Sequence, residues 1–448
     1  MKYLPYLYLV VFLFISCGEE EPIPTIRETY CTLNTSESLV AEELNSKYAY
    51  VFESDDPALE EDALTPLIDY LKEAKIVGLG EGTHGTREFF RMKDKIFRQL
   101  VKQGGFKAIV FEIPWGNAYR LNEYVIEGKL SADELVDQTY YWVYDTQEVR
   151  DLADWMYEHN LSTSDNKIFF VGCDPQGGDF EVEKEIVFQY LDQVIPDSAT
   201  TVIATYASLP RDLMNYDDLS DASKEKNRLN TEAMYNYLES NRERFSAISG
   251  TFDFEVALMA AHVIQHREYI YRIQSFGTPR DSLMAVYSAW WQRILDQDAK
   301  VAVWAHNAHV MDSKPLGSHW MGRFLKEEFR DDYKNVAFTF GTGCLNAFRS
   351  TATGAPAGGV QKHTVSYAPC LTINNLLSQL EGDQNYIIFD DIPLGSYASE
   401  YFKSHQKLYQ CGAGFNSAFI SRYTQWTNLE SLYDAVIHFD YTHESELR

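Results

Sequence analysis

Four segments of the chain combine a short run of apolar residues with a side chain that can transfer a proton or carry charge. The runs lead into Glu81, Glu112, Asp174 and His306. Runs that are apolar on both faces predict the strands of a parallel sheet covered by helices, and ligands bind beyond the carboxyl ends of such strands. We therefore expect these four groups to meet at one edge of a sheet, where they are suited to acid-base chemistry.

The first of these strands leads into a glycine-rich loop that carries a histidine. Gly80-Glu81-Gly82-Thr83-His84 places an imidazole three residues after a carboxylate, just before a predicted helix. A histidine titrates near neutral pH and can take a proton from water, and a nearby carboxylate orients its ring and stabilises its cation. Glu81 and Glu112 are both candidates for that carboxylate. A glutamate in such a loop often only caps the next helix, so the position at strand ends is what favours catalysis.

The second centre is Trp304-Ala305-His306-Asn307-Ala308-His309, again just past a predicted strand. Two histidines at this spacing can bind a metal or polarise a carbonyl, or one can protonate a departing alkoxide while the other packs. The spacing does not choose between His306 and His309, although a structural metal site would more often include cysteines. His262 and His266 lie four apart on a predicted helix, and packing is the preferred interpretation there because helical spacing is a weak signal.

Composition limits the partners of this protein. The formal net charge is -27, and binding to nucleic acid relies on Lys and Arg to replace the counterions around phosphates, so we expect no nucleic-acid partner. The same charge argues against electrostatic docking to anionic lipid. With 448 residues the chain is longer than one hydrophobic core usually supports, so we expect at least one subdomain besides the main core.

The pattern of elements predicts an α/β protein. We expect a three-layer core with a mainly parallel sheet, an inserted helical subdomain and a small α+β part at the C-terminus. The predicted order is a signal peptide (1–17), a polar tether (18–48), the first part of the catalytic core (49–180), the helical insert (181–298), the second part of the core (299–345) and the C-terminal part (346–448).

Two details of the C-terminal part and the cysteines are also predicted. Residues 350–359 are small and glycine-rich, which indicates a surface loop, and residues 418–421 are expected to form a short strand. Cys173 and Cys344 fall in or near core strands and are expected to be buried without a disulfide partner. The spacing of the cysteines specifies no bridge.

The N-terminus predicts export. Lys2 precedes an apolar stretch that ends at Cys17, which is too short to span a bilayer but suits a signal peptide. Phe14-Ile15-Ser16-Cys17 resembles a bacterial lipobox, so Cys17 is the predicted lipidation site. We expect an exported lipoprotein, periplasmic or on the cell surface, that contacts the membrane only through this anchor. Cleavage without lipidation and an uncleaved anchor are the alternatives.

A set of short motifs in a fixed order carries a family resemblance. The motifs are Gly80-Glu81-Gly82-Thr83-His84, Glu88-Phe89-Phe90, Phe111-Glu112, Asn122, Trp142 with Glu148, Gly172-Cys173-Asp174, Arg280-Asp281 with Met284-Ala285, His306-Asn307-Ala308-His309, and Met321-Gly322. In these motifs, across residues 75–343, the sequence resembles the erythromycin esterase family, which also contains proteins described as succinoglycan biosynthesis-related.

The resemblance implies a hydrolase that needs neither metal nor cofactor and cleaves an ester by direct attack of water. His84 matches the family's proposed general base, and Glu81 and Glu112 match its acidic residues. The pair His306 and His309 matches its second histidine cluster.

Four further residues are predicted to bind substrate: Lys93, Arg280, Trp115 and Asp174. Lys93 falls where the esterases have an arginine, an exchange that keeps the charge but loses bidentate geometry. The cations of Lys93 and Arg280 are expected to stabilise the oxyanion and the leaving alkoxide. Trp115 can line an apolar cleft or fill the contact between the core and the helical insert. Asp281 is expected only to favour the start of a helix.

The predicted function is therefore a carboxylic-ester hydrolase acting on a small-molecule ester, either a macrolide lactone or an acylated glycan or secondary metabolite. Antibiotic resistance is one purpose such an enzyme can serve. The alternatives are a metal-dependent hydrolase or peptidase that uses the same Glu and His cluster, and a haem- or iron-binding lipoprotein. The sequence has no G-x-S-x-G elbow and no H-E-x-x-H motif, which fits hydrolysis without a covalent nucleophile.

Overall fold

The computed structural model of the chain describes residues 30–448 apart from 130–140, 178–179, 205–208, 210–215 and 297. The predicted signal peptide, the lipidation site Cys17 and the first part of the predicted tether lie outside the described residues.

The strands within the described residues are β1 (Ala49–Val51), β2 (Ile76–Leu79), β3 (Phe106–Pro114), β4 (Phe169–Asp174), β5 (Lys300–Trp304), β6 (Tyr333–Ser350), β7 (Pro356–Val365), β8 (Gln384–Ile388), β9 (Gln406–Tyr409), β10 (Gly414–Phe415), β11 (Thr424–Thr427) and β12 (Ala435–Thr442). The α-helices are α1 (Thr35–Glu43), α2 (Thr65–Leu71), α3 (Arg87–Gln99), α4 (Trp115–Glu127), α5 (Gln147–Ser162), α6 (Glu181–Val194), α7 (Ala199–Ile203), α8 (Asp221–Ser240), α9 (Arg242–Ser249), α10 (Thr251–Ile273), α11 (Thr278–Leu295), α12 (Asn307–Val310), α13 (Met321–Phe329), α14 (Ile373–Leu377), α15 (Tyr397–Lys403) and α16 (Leu429–Leu432).

The main sheet has the strand order β1-β8-β12-β6-β2-β5-β3-β4. From β12 to β4 every neighbouring pair is parallel, and β8 and β1 continue the edge beyond β12 in antiparallel pairing. The far end of β6 extends past its parallel neighbours and pairs with β7 and β10. Strands β9 and β11 form a separate antiparallel pair. The mixed, mainly parallel sheet confirms the predicted α/β class.

Alternation along the central strands explains the three layers. Val301 and Val303 pack into one apolar cluster together with α10 and α11, whereas Ala302 and Trp304 pack into a second cluster on the other face together with α3 and α5. A strand that is apolar at every position therefore buries both of its faces. Helices α6 to α11 fall within the predicted helical insert, whose boundaries remain a prediction.

The helix after the glycine-rich loop is positioned by its apolar stripe. Phe89, Phe90 and Phe97 of α3 are fully buried against the sheet. The helix continues as one π-helical turn and ends at Gly105, which has a φ of 70° that favours glycine. The strand β3 follows at once, so the predicted strand-helix-strand unit is present.

The prediction of a polar tether as far as residue 48 is wrong for its last part. Helix α1 begins with a capping box, in which the Asn34 side chain accepts from the Glu37 N–H and the Glu37 carboxylate accepts from the Asn34 N–H. Val40 and Leu44 are buried in the apolar cluster. The apolar residues of this segment show only a weak helical periodicity, so the sequence did not predict the helix, which tertiary packing stabilises.

Two predictions in the C-terminal part need correction. The predicted surface loop at 350–359 is confirmed only for residues 351–355, which form the exposed turn between β6 and β7, because residues 356–359 belong to β7. These strand residues are small and exposed, so they lack the apolar alternation of a half-buried strand. Residues 418–421 lie in a 3-10 turn region (Ser417–Tyr423) that starts where the Asn416 side chain accepts from the Ala418 N–H.

The structure confirms the prediction for two buried cysteines and adds a disulfide that was not predicted. Cys173 and Cys344 are buried free thiols, as predicted. Cys31 forms a disulfide with Cys370, across 339 residues of sequence, a pairing that spacing could not indicate. Among the described residues, no helix has both the length and the apolar character needed to cross a membrane.

Candidate active site

The register of four strands aligns the chemical groups. Leu79 pairs with Trp304, Trp304 with Phe111, and Phe111 with Gly172. These four residues therefore lie at the same level, and the chain beyond each of them runs toward the same crevice. The residues that the structure brings together in this crevice or just beneath it are Glu81, His84, Lys93, Glu112, Asp174, Arg280, His306 and His309.

The first half of the site, here called the base cluster, contains Glu81, His84, Lys93 and His306. The fully buried Glu81 carboxylate lies with Oε1 2.6 Å from His84 Nδ1 and Oε2 2.5 Å from Lys93 Nζ. Burial raises the pKa of Glu81, but Lys93 and His84 outweigh burial and hold that pKa below its ordinary value. An ionised carboxylate only accepts hydrogen bonds, so His84 Nδ1 is the donor and its Nε2 can accept a proton.

Lys93 lies beneath Glu81 and away from the crevice. Its side chain is fully buried, and its ammonium stands 4.5 Å from the centroid of the Trp304 ring. Burial lowers the pKa of Lys93 to about 8 against the opposing effect of Glu81. The role of Lys93 in substrate binding stays a prediction; in the structure its ammonium pairs with Glu81 inside the protein.

His306 faces the proposed base. The centroids of the His84 and His306 rings are 4.9 Å apart. His306 Nδ1 accepts from the Ala308 N–H at 3.2 Å, which leaves the ring proton on Nε2, a buried atom with no hydrogen-bond partner among the described residues. Burial, helped by the nearby His84, lowers the pKa of His306 to about 3, so the ring is neutral at neutral pH.

The second half, here called the charged cluster, contains Glu112, Asp174, Arg280, Asp281 and His309. His309 Nδ1 donates to Asp281 Oδ1 at 2.6 Å, and its Nε2 lies 3.1 Å from Glu112 Oε1. Burial and Arg280 lower the pKa of His309, but Glu112 and Asp281 outweigh them and raise it to about 9. This imidazole is therefore a cation at neutral pH.

Arg280 ties the charged cluster together. Its Nε and Nη2 donate to the two oxygens of Asp174 at 2.9 and 2.7 Å, and Nη2 also donates to Glu112 Oε1 at 2.9 Å. The hydroxyl of Tyr141 donates to Asp174 Oδ2 at 3.2 Å. Burial raises the pKa of Glu112, but His309 and then Arg280 hold it well below its ordinary value. The two halves meet where the backbone N–H of His306 donates to Glu112 Oε2 at 3.1 Å.

Trp115, predicted to bind substrate, does not join either cluster. It is fully buried, its ring stacks on Trp291 at 5.9 Å, and its indole N–H contacts the sulfur of Met259. This is the contact between core and helices that the sequence offered as the alternative position for the ring.

Sequence reasoning missed two residues that fix the geometry. Asp281, expected only to favour a helix start, holds His309 and also accepts from the Met321 N–H at 3.0 Å. Asn307 donates its own N–H to the Glu81 carbonyl at 2.9 Å, and a side chain at Gly80 would collide with its amide oxygen. Both positions lie inside motifs singled out for other members, so adjacency was the only available signal.

Among the described residues, no three His, Cys, Asp or Glu side chains are placed to hold an ion together. The carboxylates of Glu81 and Glu112 are bound by Lys93, Arg280 and two imidazoles. Away from the site, the rings of His262 and His266 stack 3.8 Å apart, which agrees with packing.

The fold and the site define a class of protein. The strand ends of a parallel sheet present a carboxylate-bound histidine, a neutral histidine donor and a set of buried charges. Among the residues that the structure describes, no serine or cysteine hydrogen-bonds to either ring. This combination is suited to general acid-base catalysis.

The chain belongs to the erythromycin esterase family. The model described as erythromycin esterase matches residues 101–442, which include Glu112, Arg280, His306 and His309. The match extends nearly 100 residues beyond the expected end at 343 and begins after the loop that carries His84. Family membership indicates a hydrolase.

Named relatives agree with the family and with the fold. Erythromycin esterase type II of Escherichia coli is 26% identical over 314 residues, which cover 63% of this chain and 73% of the relative. A crystal structure of a succinoglycan biosynthesis protein has a TM-score of 0.79 at 23% identity and covers 93% of this chain and 100% of its own. A mutant of the erythromycin esterase EreC in its open conformation has a TM-score of 0.67 at 20% identity, over 89% of this chain and 99% of its own. At these identities the structures support the fold alone.

Proposed function

We propose that the protein hydrolyses a carboxylic ester with a water molecule that His84 activates. The observation that carries this proposal is the 2.6 Å hydrogen bond between Glu81 and His84 Nδ1. The bond directs the basic Nε2 of a partly exposed imidazole away from the carboxylate. A water molecule bound at Nε2 would lose its proton to His84 as it attacks the acyl carbon, and Glu81 would stabilise the imidazolium that forms.

His306 is the residue we assign to the developing oxyanion. It is neutral, its proton is on Nε2, and that atom has no partner among the described residues, so the N–H is available to a substrate oxygen. A fixed donor in a buried site stabilises negative charge better than water does. His309 is less suited to this step because both of its nitrogens already face carboxylates.

The second half of the reaction follows from the first. Collapse of the tetrahedral intermediate breaks the bond between the acyl carbon and the alkoxy oxygen. The proton that His84 took from water passes to the departing alkoxide, which leaves as an alcohol, and the other product is the carboxylic acid. Glu112, as part of the charged cluster, holds His306 in place by accepting a hydrogen bond from its backbone N–H.

For the substrate we propose a macrolide lactone or an acylated glycan or secondary metabolite. The support is the names of two similar proteins, an erythromycin esterase and a succinoglycan biosynthesis protein. The test is incubation of the purified protein with a panel of macrolides and acylated sugars, followed by mass spectrometry. We expect one macrolide to gain the mass of one water molecule, or one acylated sugar to give an acid and an alcohol whose masses sum to those of substrate and water. In ¹⁸O-labelled water the label should enter the carboxylic acid group.

Two outcomes would contradict this proposal. The first is a panel without any hydrolysed ester. The second is intact protein that carries an added acyl mass during turnover, since direct attack by water leaves the enzyme unmodified.

We also propose that the protein is exported and anchored by a lipid at Cys17. The Cys31–Cys370 disulfide supports export, because structural disulfides persist in oxidising compartments. Cell fractionation of the wild type and of Cys17→Ser tests the proposal. We expect the wild type in the membrane fraction and the variant either unprocessed or released, whereas a cytosolic wild-type protein would contradict it.

A further inference from the structure

The last residues of the chain lie across the beginning of two helices that flank the site. Residues 443–448, here called the C-terminal strap, make isolated antiparallel bridges from Glu444 to Thr86 and from Leu447 to Thr146. Thr86 and Thr146 are the residues that precede α3 and α5. The strap lies just beyond residues 101–442, so the family match does not include it.

The strap binds both helices in the same way. The N–H of the first residue of α3, Arg87, donates to the His443 carbonyl at 3.0 Å, and the His443 N–H donates to the Glu88 carboxylate at 2.7 Å. At α5 the Gln147 N–H donates to the Glu446 carbonyl at 2.9 Å. The first amides of a helix have no partner within it, and α3 has no side-chain cap, so the strap satisfies donors that would otherwise be unpaired.

A second contact at α5 matches the one between His443 and Glu88 at α3. The Glu446 N–H donates to the Glu148 carboxylate at 3.1 Å. Glu88 and Glu148 are each the second residue of their helix, and each accepts an amide of the strap. Their side chains are largely buried, which favours a structural partner over solvent.

One bond of the strap reaches the catalytic loop itself. The carbonyl of Gly85, the residue after His84, accepts from the Ser445 N–H at 3.0 Å and from the Asn346 N–H at 2.9 Å. The Asn346 side chain donates to the Ser445 carbonyl at 2.7 Å. A side chain at Gly85 would collide with the Asn346 backbone, so loop, β6 and strap are in close contact at this point.

We propose that the C-terminal strap is a positioning element for the general base. Ser445, through its N–H, fixes the peptide between Gly85 and Thr86, one residue beyond His84, and His443 with Glu88 fixes the start of the helix behind it. This inference rests on the proposed function of His84. The effect of the strap on the stability of the loop can also be measured by amide hydrogen exchange without any substrate.

The experiment compares two proline substitutions in the full-length chain. Ser445→Pro removes the N–H that binds Gly85, and the matched control Glu446→Pro removes the N–H that binds Glu148 at the other helix. The two positions are adjacent and both lie outside helices and strands, so the general cost of proline is expected to be similar. The readouts are amide hydrogen exchange of residues 81–87 and of residues 145–149, kcat, and KM.

We expect Ser445→Pro to accelerate exchange of residues 81–87 and to lower kcat by roughly tenfold with KM nearly unchanged, because a small displacement of a catalytic group has a large effect on rate. Glu446→Pro should accelerate exchange of residues 145–149 and leave kcat within about twofold. Equal effects of both variants on the 81–87 loop, or none from Ser445→Pro, would overturn the proposal.

Two additions keep the test decisive. If Ser445→Pro does not fold, Glu88→Gln against Glu148→Gln makes the same comparison with milder changes, and only Glu88→Gln should affect the 81–87 loop. If the wild type hydrolyses no ester in the panel, the proposed function fails, and the exchange data still decide whether the strap holds the loop.

Discussion

The base cluster and the charged cluster use the same residue types with different results. In the base cluster one carboxylate, Glu81, serves one imidazole and leaves its second nitrogen available. In the charged cluster the imidazole of His309 lies between two carboxylates, and both of its nitrogens are engaged. His306 and His309 are three residues apart, yet burial makes one neutral with a pKa of about 3 and carboxylates make the other a cation with a pKa of about 9.

The base cluster is therefore suited to transfer protons, and the charged cluster is suited to hold charges in fixed positions. A group that transfers protons needs an accessible nitrogen and a pKa near the working pH. A group that is fully paired with opposite charges keeps its protonation state and stabilises its neighbours. We therefore expect changes in the base cluster to act on rate and changes in the charged cluster to act on both rate and stability.

The largest effect is expected from His84→Ala. Removal of the proposed base should lower kcat by about 1,000-fold or more, because general-base catalysis of this kind contributes up to four orders of magnitude. The side chain is partly exposed, so the thermal midpoint should change little. Steady-state kinetics and circular dichroism measure the two quantities, and a variant with wild-type turnover would remove His84 from the mechanism.

Glu112→Gln tests the charged cluster. The variant leaves Arg280 and His309 with one carboxylate fewer in a buried site, which should cost about 3 kcal/mol in the free energy of unfolding. We also expect kcat to fall by about 100-fold, because the hydrogen bond that holds the His306 backbone N–H weakens and the imidazole is then less well placed. Urea denaturation together with kinetics tests this. Loss of rate without loss of stability would show that the two clusters are not divided as described.

Lys93→Met examines the buried cation beneath Glu81. Without the ammonium, burial dominates and the pKa of Glu81 rises, so the acidic limb of the profile of kcat/KM against pH should move up by about 1 pH unit or more. Lys93→Arg keeps the charge and is the matched control, with a smaller shift expected. An unchanged acidic limb in the methionine variant would mean that Glu81 does not control the base.

The smallest effect concerns stability against pH. The folded-state pKa of His309 is raised to about 9, above its ordinary value of 6.5. Its contribution is therefore fully present below pH 6.5 and is lost as pH rises through about 9. The thermal midpoint of the wild type should fall over this range relative to that of His309→Gln. Parallel curves for the two proteins would contradict a cationic His309.

Much of the site was predictable because its signals are local. Strands apolar on both faces and the glycine-rich loop placed Glu81, His84, Glu112 and His306 at one sheet edge, and the structure brings them together. Trp115 and Lys93 were harder to interpret, since a sequence does not tell whether an aromatic ring or a lysine next to an active site points into the crevice or into the core.

The missed features depend on contacts between distant segments. Asp281 acts on a histidine 28 residues later, and Cys31 pairs with a cysteine 339 residues away. The strap at residues 443–448 has no apolar alternation of its own, because backbone amides and two glutamates hold it. Such contacts leave no periodic pattern in the sequence.

The sequence by itself determined which groups reach the strand ends, the α/β class and the resemblance to a hydrolase family, since these follow from local hydrophobic patterns and short motifs. Only the tertiary structure decided which histidine is neutral and which is charged. Burial and the approach of carboxylates from β3 and α11 set those charges, and both depend on how the whole chain packs.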